Sequence, residues 1–151
     1  MELAVNEQVT DGTPWYRWLW LVAIAVILFF NAAPDRVKQK HYQAWQVIHT
    51  AQGKGGSGGS IDALNQLNHD GIPLIGVDVA QAFLQGVQLP GAKLSRANLS
   101  AVDARDSTFD GSDLSFANLT SANFRRSQLR HVSLRETNLT DADLNSTDIS
   151  G

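Results

Sequence analysis

The chain has 151 residues, enough for one domain of ordinary size but not for a domain, an anchor and a full-sized enzyme together. Apolar residues are 43% and charged residues 18%, a globular composition, and the absence of cysteine excludes disulfides, thiolate metal sites and thiol nucleophiles. A net charge of −3 is too small for a nucleic-acid binder; its division into −2 over residues 1–33, +1 over 34–71 and −2 over 72–151 points to unlike segments.

After an acidic tail (1–17) comes the run WLWLVAIAVILFFNAA (18–33), with no formal charge between Arg17 and Asp35. A helix needs about 17–25 such residues to cross the hydrocarbon core, so the run predicts a single transmembrane helix near the short limit. Trp15, Trp18 and Trp20 would form an aromatic belt at one interface, and Arg36, Lys38 and Lys40 would mark the other. Only Arg17 precedes the run, so the N-terminus is expected outside and the remainder in the cytoplasm. A core helix this uniformly apolar would need a large protein around it. A cleaved signal peptide would need a basic leader, where Glu2, Glu7 and Asp11 stand.

Residues 34–71 read as a helical neck. Pro34 is expected to stop or kink the first helix, because it lacks an N–H and clashes with the preceding turn. Val37, His41, Ala44, Trp45, Ile48 and Ala51 then share one helical face. GKGGSGG (53–59) is a flexible loop; it matches G-x-G-x-x-G, but a helix rather than a strand precedes it, which argues against a nucleotide site. Ser60 is expected to cap a short helix with Ile61, Leu64 and Leu67 on one side, ended by a turn at Asp70 and Gly71.

From residue 72 the chain repeats every five residues. The central positions run from Leu74 through Leu94, Leu99, Phe109, Leu114, Leu119, Phe124 and Leu129 to Ile149, with Ala104 the one small exception. Two residues before each stands a small or β-branched side chain, and the position between is usually Asp, Asn or Gln. Neither a helical nor a strand period fits; a sustained short repeat marks a solenoid, whose units bury their faces only against neighbours. Inward positions two apart in every five fit a chain that turns a corner after each five, with four sides to a twenty-residue coil. About four coils follow, on the order of 15–20 Å tall at ~4.8 Å per layer. Phe124, one layer above Ala104, and Phe109 beside it are expected to fill the space that Ala104 leaves.

The stretch SRANLSAVDARDSTFDGSDLSFANLTSANFRRSQL resembles the A-(D/N)-L-x-x pattern of the pentapeptide-repeat family, and the resemblance covers 72–151. It implies an all-β fold, a right-handed quadrilateral β-helix, here preceded by the single transmembrane helix and the neck. The stretch 42–78 is similar to the neck that joins a membrane anchor to such repeats in bacterial, often cyanobacterial, proteins, which implies a single-pass protein of a bacterial inner or thylakoid membrane.

No catalytic, cofactor or metal residue is predicted: His41, His49, His69 and His131 form no ligand pair, and no nucleophile–base pair is visible. Two surfaces are candidates for contact with a partner. One is a basic corner of Arg105, Arg125, Arg126 and Arg130, although Asp110 one layer below Arg130, like Lys93 one layer below Asp113, is expected to form a surface pair. The other is the last coil, with Leu134, Leu139, Leu144 and Ile149, because solenoid ends need covering. The functional expectation is a membrane-anchored protein–protein interaction module, an accessory or scaffold subunit docking on a membrane complex, which in cyanobacteria is often photosynthetic. Its expected partners are the membrane and either a protein of that complex or a second copy joined through the C-terminal coil, with no nucleic acid and no small-molecule substrate. The alternative implied by the resemblance is a DNA mimic that interacts with gyrase, which would need a strongly acidic face.

Overall fold

The computed structural model describes residues 16–51 and 59–151, with the side chains of 16–18 and 29–35 outside that description. It contains two helices, α1 (Tyr16–Ala51) and α2 (Ser60–His69), followed by the repeat region. The chain divides into two compact units, residues 1–39 and 40–151, and α1 contributes to both.

Two expectations about the first segment are corrected. Helix α1 runs without interruption through position 34, so Pro34 does not end it. Among the described residues, no helix is long and apolar enough to cross a membrane. The transmembrane helix, the single-pass topology and the membrane localisation drawn from this run therefore lose their basis. Of the interface residues, Trp20 is exposed, as are Arg36, Lys38 and Lys40, whereas Trp15 and the Trp18 side chain lie outside the described residues. The Gly-rich loop lies outside them at 52–58.

In the second unit, α1 buries Ala44 and Ile48, and α2 buries Ala63, Leu64 and Leu67 in the same apolar core. The cap of α2 is Gly59, in the left-handed region at φ +86°, rather than Ser60, which sits inside the first turn with its hydroxyl buried and unpaired. Gly71, at φ +71°, closes the other end: the Ile72 N–H returns to the Leu67 carbonyl at 2.9 Å. His41 ties α1 to this end of α2, donating from Nε2 to Asp70 Oδ2 at 2.8 Å, while Gln66 Nε2 donates to the same oxygen at 2.8 Å.

The repeat region is a four-cornered coil. Most corners are tight turns in which the carbonyl of a central residue accepts the N–H three residues on, as from Leu74 to Val77 at 3.2 Å, whereas the Ser107 N–H donates to Ser127 Oγ at 3.2 Å. The residue before that N–H lies in the left-handed region at every corner from Gly71 to Ser146. Positive φ at the third turn position with a normal second position is the type II geometry. Glycine occupies several corners, but Gln81, Arg96, Ala101, Phe116 and Glu136 hold φ between +53° and +62° with a Cβ in place. None of the non-glycine corners is Val, Ile or Thr, whose branched Cβ tolerates this region least.

Layers are joined by parallel bridges between residues twenty apart, from Asp78 with Asn98 to Gln128 with Asp148. Each bridge residue donates to the layer before, and the next residue donates to the layer after: Asn98 N–H to Val77 at 2.8 Å and Leu99 N–H to Asn118 at 2.8 Å. With a corner every five residues, only one residue per side stays in register. The described residues therefore contain isolated bridges and no extended strand, and the expected all-β architecture becomes two helices and a bridged coil.

The central side chains fill the coil. Phe109, Leu114, Leu119 and Phe124 have no exposed surface, and Leu94, Leu99 and Leu129 are at 1–2%. Each such Leu or Phe contributes roughly 1.5–3 kcal/mol of burial. Ala104 is fully buried beside Phe109 and Phe124, whose rings meet edge to face at 5.4 Å between centroids. Buried hydroxyls at the small inward positions are satisfied across layers: Ser107 donates to the Leu84 carbonyl at 3.0 Å and Ser127 to the Ala104 carbonyl at 2.7 Å.

Two outcomes are expected. Gly111 has φ +68° and no atom within 4 Å of where a Cβ would stand, so Gly111→Ala isolates the backbone cost of the corner. Urea unfolding should show a loss of about 1 kcal/mol, and an unchanged midpoint would contradict the corner geometry. Hydrogen bonds from Gln66, then His41 and His69, hold the Asp70 carboxyl down to about 2 from its ordinary 3.8. The link from α1 to α2 is then intact above about pH 4, the unfolded value, and is lost as pH falls toward 2. Carboxyl NMR titration should show this, with Gln66→Ala raising the Asp70 midpoint; an ordinary Asp70 midpoint in the parent would refute it.

Candidate functional site

Among the described residues, no group of three or more His, Asp or Glu side chains is placed to hold a metal ion. An open groove of about 640 Å³ lies along Tyr42, Trp45, Gln46, His49 and Thr50, with Trp45 and His49 stacked at 6.1 Å. It presents aromatic surface with no pair of groups arranged for proton transfer.

The four arginines of the basic corner are each drawn onto a carboxylate. Arg105 grips Asp103 with two bonds of 2.8 and 2.7 Å, within one side of the coil. Arg126 reaches down one layer to Asp106 with two bonds of 2.7 and 2.8 Å. Arg130 bonds Asp110 at 2.9 Å, also one layer down, and stands 3.9 Å from Asp148 one layer up. Arg125 lies 3.9 Å from Asp143. The arginine bonds hold the Asp103, Asp106 and Asp110 carboxyls below their ordinary range. This corner is an alternating ladder of charge rather than a free cationic patch, and its exposed pairs add little stability individually.

A second ladder runs up another side. Asn98, Asn118 and Asn138 each accept the hydroxyl of the residue two on: Ser100 at 2.8 Å, Thr120 at 2.6 Å and Thr140 at 2.7 Å. The outward polar groups there satisfy one another.

The last coil differs from those beneath it. Leu134, Leu139 and Leu144 are half-buried and Ile149 is 58% exposed, while their counterparts twenty residues earlier are at 0–2%. The opposite end of the solenoid is covered by α2, whose Asn65 Oδ1 accepts the Gln88 N–H at 2.9 Å and whose Asn68 Nδ2 donates to the Pro90 carbonyl at 3.0 Å. Sequence reading missed these two residues; their signal is a spacing of three on a short helix directly before the repeats.

Comparison with known proteins agrees with this geometry. A family model described as a pentapeptide repeat region matches residues 82–151. No curated protein matches the chain. The crystal structure of Rfr23, a pentapeptide repeat protein of the cyanobacterium Cyanothece 51142, is 26% identical over 52% of this chain, with a TM-score of 0.50. This chain covers 54% of that one, about half its length. The structure of alr5209, a pentapeptide repeat protein of Nostoc PCC 7120, is 26% identical over 58% of this chain and 74% of its own, with a TM-score of 0.48. Proteins of this kind are often interaction modules and generally not enzymes. On the five-residue register, the corner at every fifth residue and the matching family model, residues 82–151 are a pentapeptide repeat region.

Proposed function

We propose that this chain is a protein–protein interaction module whose contact face is the coil 132–151 and whose occupant is a second copy of the chain. The observation that carries this is the loss of cover along that coil, where Ile149 is 58% exposed and Leu134, Leu139 and Leu144 are only half-buried. Apolar side chains left uncovered at the face of a coil favour the addition of another chain. The sides of the solenoid support the same reading by contrast, since their charges and amides are already paired within the chain. In this reading 72–151 is the binding domain and 34–71 its neck and cap. A different protein on the same coil, or further residues of a longer chain folded over it, are the competing outcomes.

Light scattering of the full chain over a range of concentrations tests the proposal. The mass should rise toward that of two chains, and Ile149→Arg should return it to one while thermal stability changes by no more than about 0.5 kcal/mol, as expected of an exposed position. A parent that stays monomeric at every concentration would overturn self-association.

A further inference from the structure

We propose that Asn65 and Asn68 stand in for the backbone of a preceding coil, and that the α2 cap is an autoinhibitory contact keeping the first coil's edge from pairing with a second copy of the chain. The argument is one of register. Inside the solenoid, each bridge residue donates its N–H to the carbonyl twenty-one residues earlier, as Thr108 does to Val87 and Gln128 does to Ser107, both at 2.9 Å. By that rule Gln88 would look to residue 67. Leu67 is in α2, and its carbonyl accepts the Ile72 N–H instead. The oxygen that Gln88 receives is Asn65 Oδ1, at the same 2.9 Å.

The acceptor side follows the same logic. Each corner N–H donates to the carbonyl nineteen residues later, as Gly91 does to Asp110 and Gly111 does to Arg130, both at 2.8 Å. The Pro90 carbonyl would therefore look to the N–H of residue 71. Gly71 donates to the Asn68 carbonyl within its own turn, and Asn68 Nδ2 supplies Pro90 at 3.0 Å. One side-chain acceptor and one side-chain donor thus reproduce, on one side of the coil, two bonds of a layer that the helix cannot make with its own backbone. Leu64 and Leu67 complete the substitution by closing the apolar end, being 1% and 0% exposed in the core that contains Leu74 and Leu89.

Without the two amides, that side would expose a donor and an acceptor together. Such an edge is self-complementary about a two-fold axis, so the same edge of another copy is its natural occupant. Asn68 has a second requirement that Asn65 lacks, because it must donate. An aspartate preserves the acceptor at 65 and destroys the donor at 68.

The test uses the full chain carrying Ile149→Arg, which silences the coil 132–151 and keeps failure of that reading separate from failure of this one. At low concentration, hydrogen exchange at the Gln88 amide should be at least about tenfold faster in Asn65→Ala/Asn68→Ala than in the parent. At rising concentration, the mass of that variant should increase while the parent's does not. Asn65→Asp should keep Gln88 protected and the mass unchanged, and Asn68→Asp, which leaves Gln88 paired and frees only the Pro90 acceptor, should also stay at one chain. If the alanine pair fails to fold, Asn65→Ser/Asn68→Ser, whose shorter side chains cannot reach either partner, takes its place. Unchanged Gln88 protection would overturn the surrogate role. A deprotected Gln88 with no change in mass, or association of either aspartate variant, would overturn the autoinhibitory role.

Discussion

The structure depends on a corner that recurs every five residues. At each one, a single residue with positive φ lets the chain turn sharply, and at most of them the carbonyl of the inward central residue is satisfied across the turn. Because the corners come at equal intervals, twenty residues return the chain to the same side, and everything stacked above or below a residue is twenty positions away. The interior is then only two inward positions wide on each side. One must be large and the other small, or the coil cannot close at native packing density. Non-glycine residues in the left-handed region cost on the order of 1–2 kcal/mol each. The cost is offset because each corner positions a fully buried Leu or Phe and one or more interlayer hydrogen bonds.

That constraint also determines where chemistry is left over. Along the sides, outward residues are held one layer apart, close enough for an arginine to reach the aspartate beneath it or for an amide to sit over an amide. Arg126 on Asp106 and Asn118 above Asn98 are products of the stacking distance rather than of local sequence. Sides built this way are internally paired and contain no converging set of catalytic groups. What remains unequal is the two ends. One is closed by α2, which contributes Leu64 and Leu67 to the core and two amides to the backbone edge; the other carries half-buried leucines and an exposed isoleucine.

The apolar run near the N-terminus shows the limit of reading composition locally. Charge-free length and flanking tryptophans argued for a membrane span, and Pro34 for its end. The helix instead continues to Ala51, and no helix among the described residues has the length and apolarity for a crossing. Proline removes one hydrogen bond and introduces one clash, and a long helix with strong formers on both sides absorbs that locally.

By itself, the sequence determined the repeat and its register. A period of five is visible without any partner, and the inward residues are chosen by size, so Leu119, Phe124 and the small residues before them are legible from spacing alone. The fit of Ala104 against Phe109 and Phe124 was also legible, because residues twenty apart can be aligned on paper. The pairing of Arg130 with Asp110 one layer below was legible in the same way, and only the tertiary structure decided which other polar groups meet. The four arginines looked like a basic corner until their rotamers placed each one against a carboxylate, and the direction a side chain takes off a corner is not encoded in the period. Asn65 and Asn68 were unreadable for a related reason: their partners, Gln88 and Pro90, lie more than twenty residues away across the junction of a helix and a coil. No repeat relates those two elements, and only their packing brings amide and backbone together.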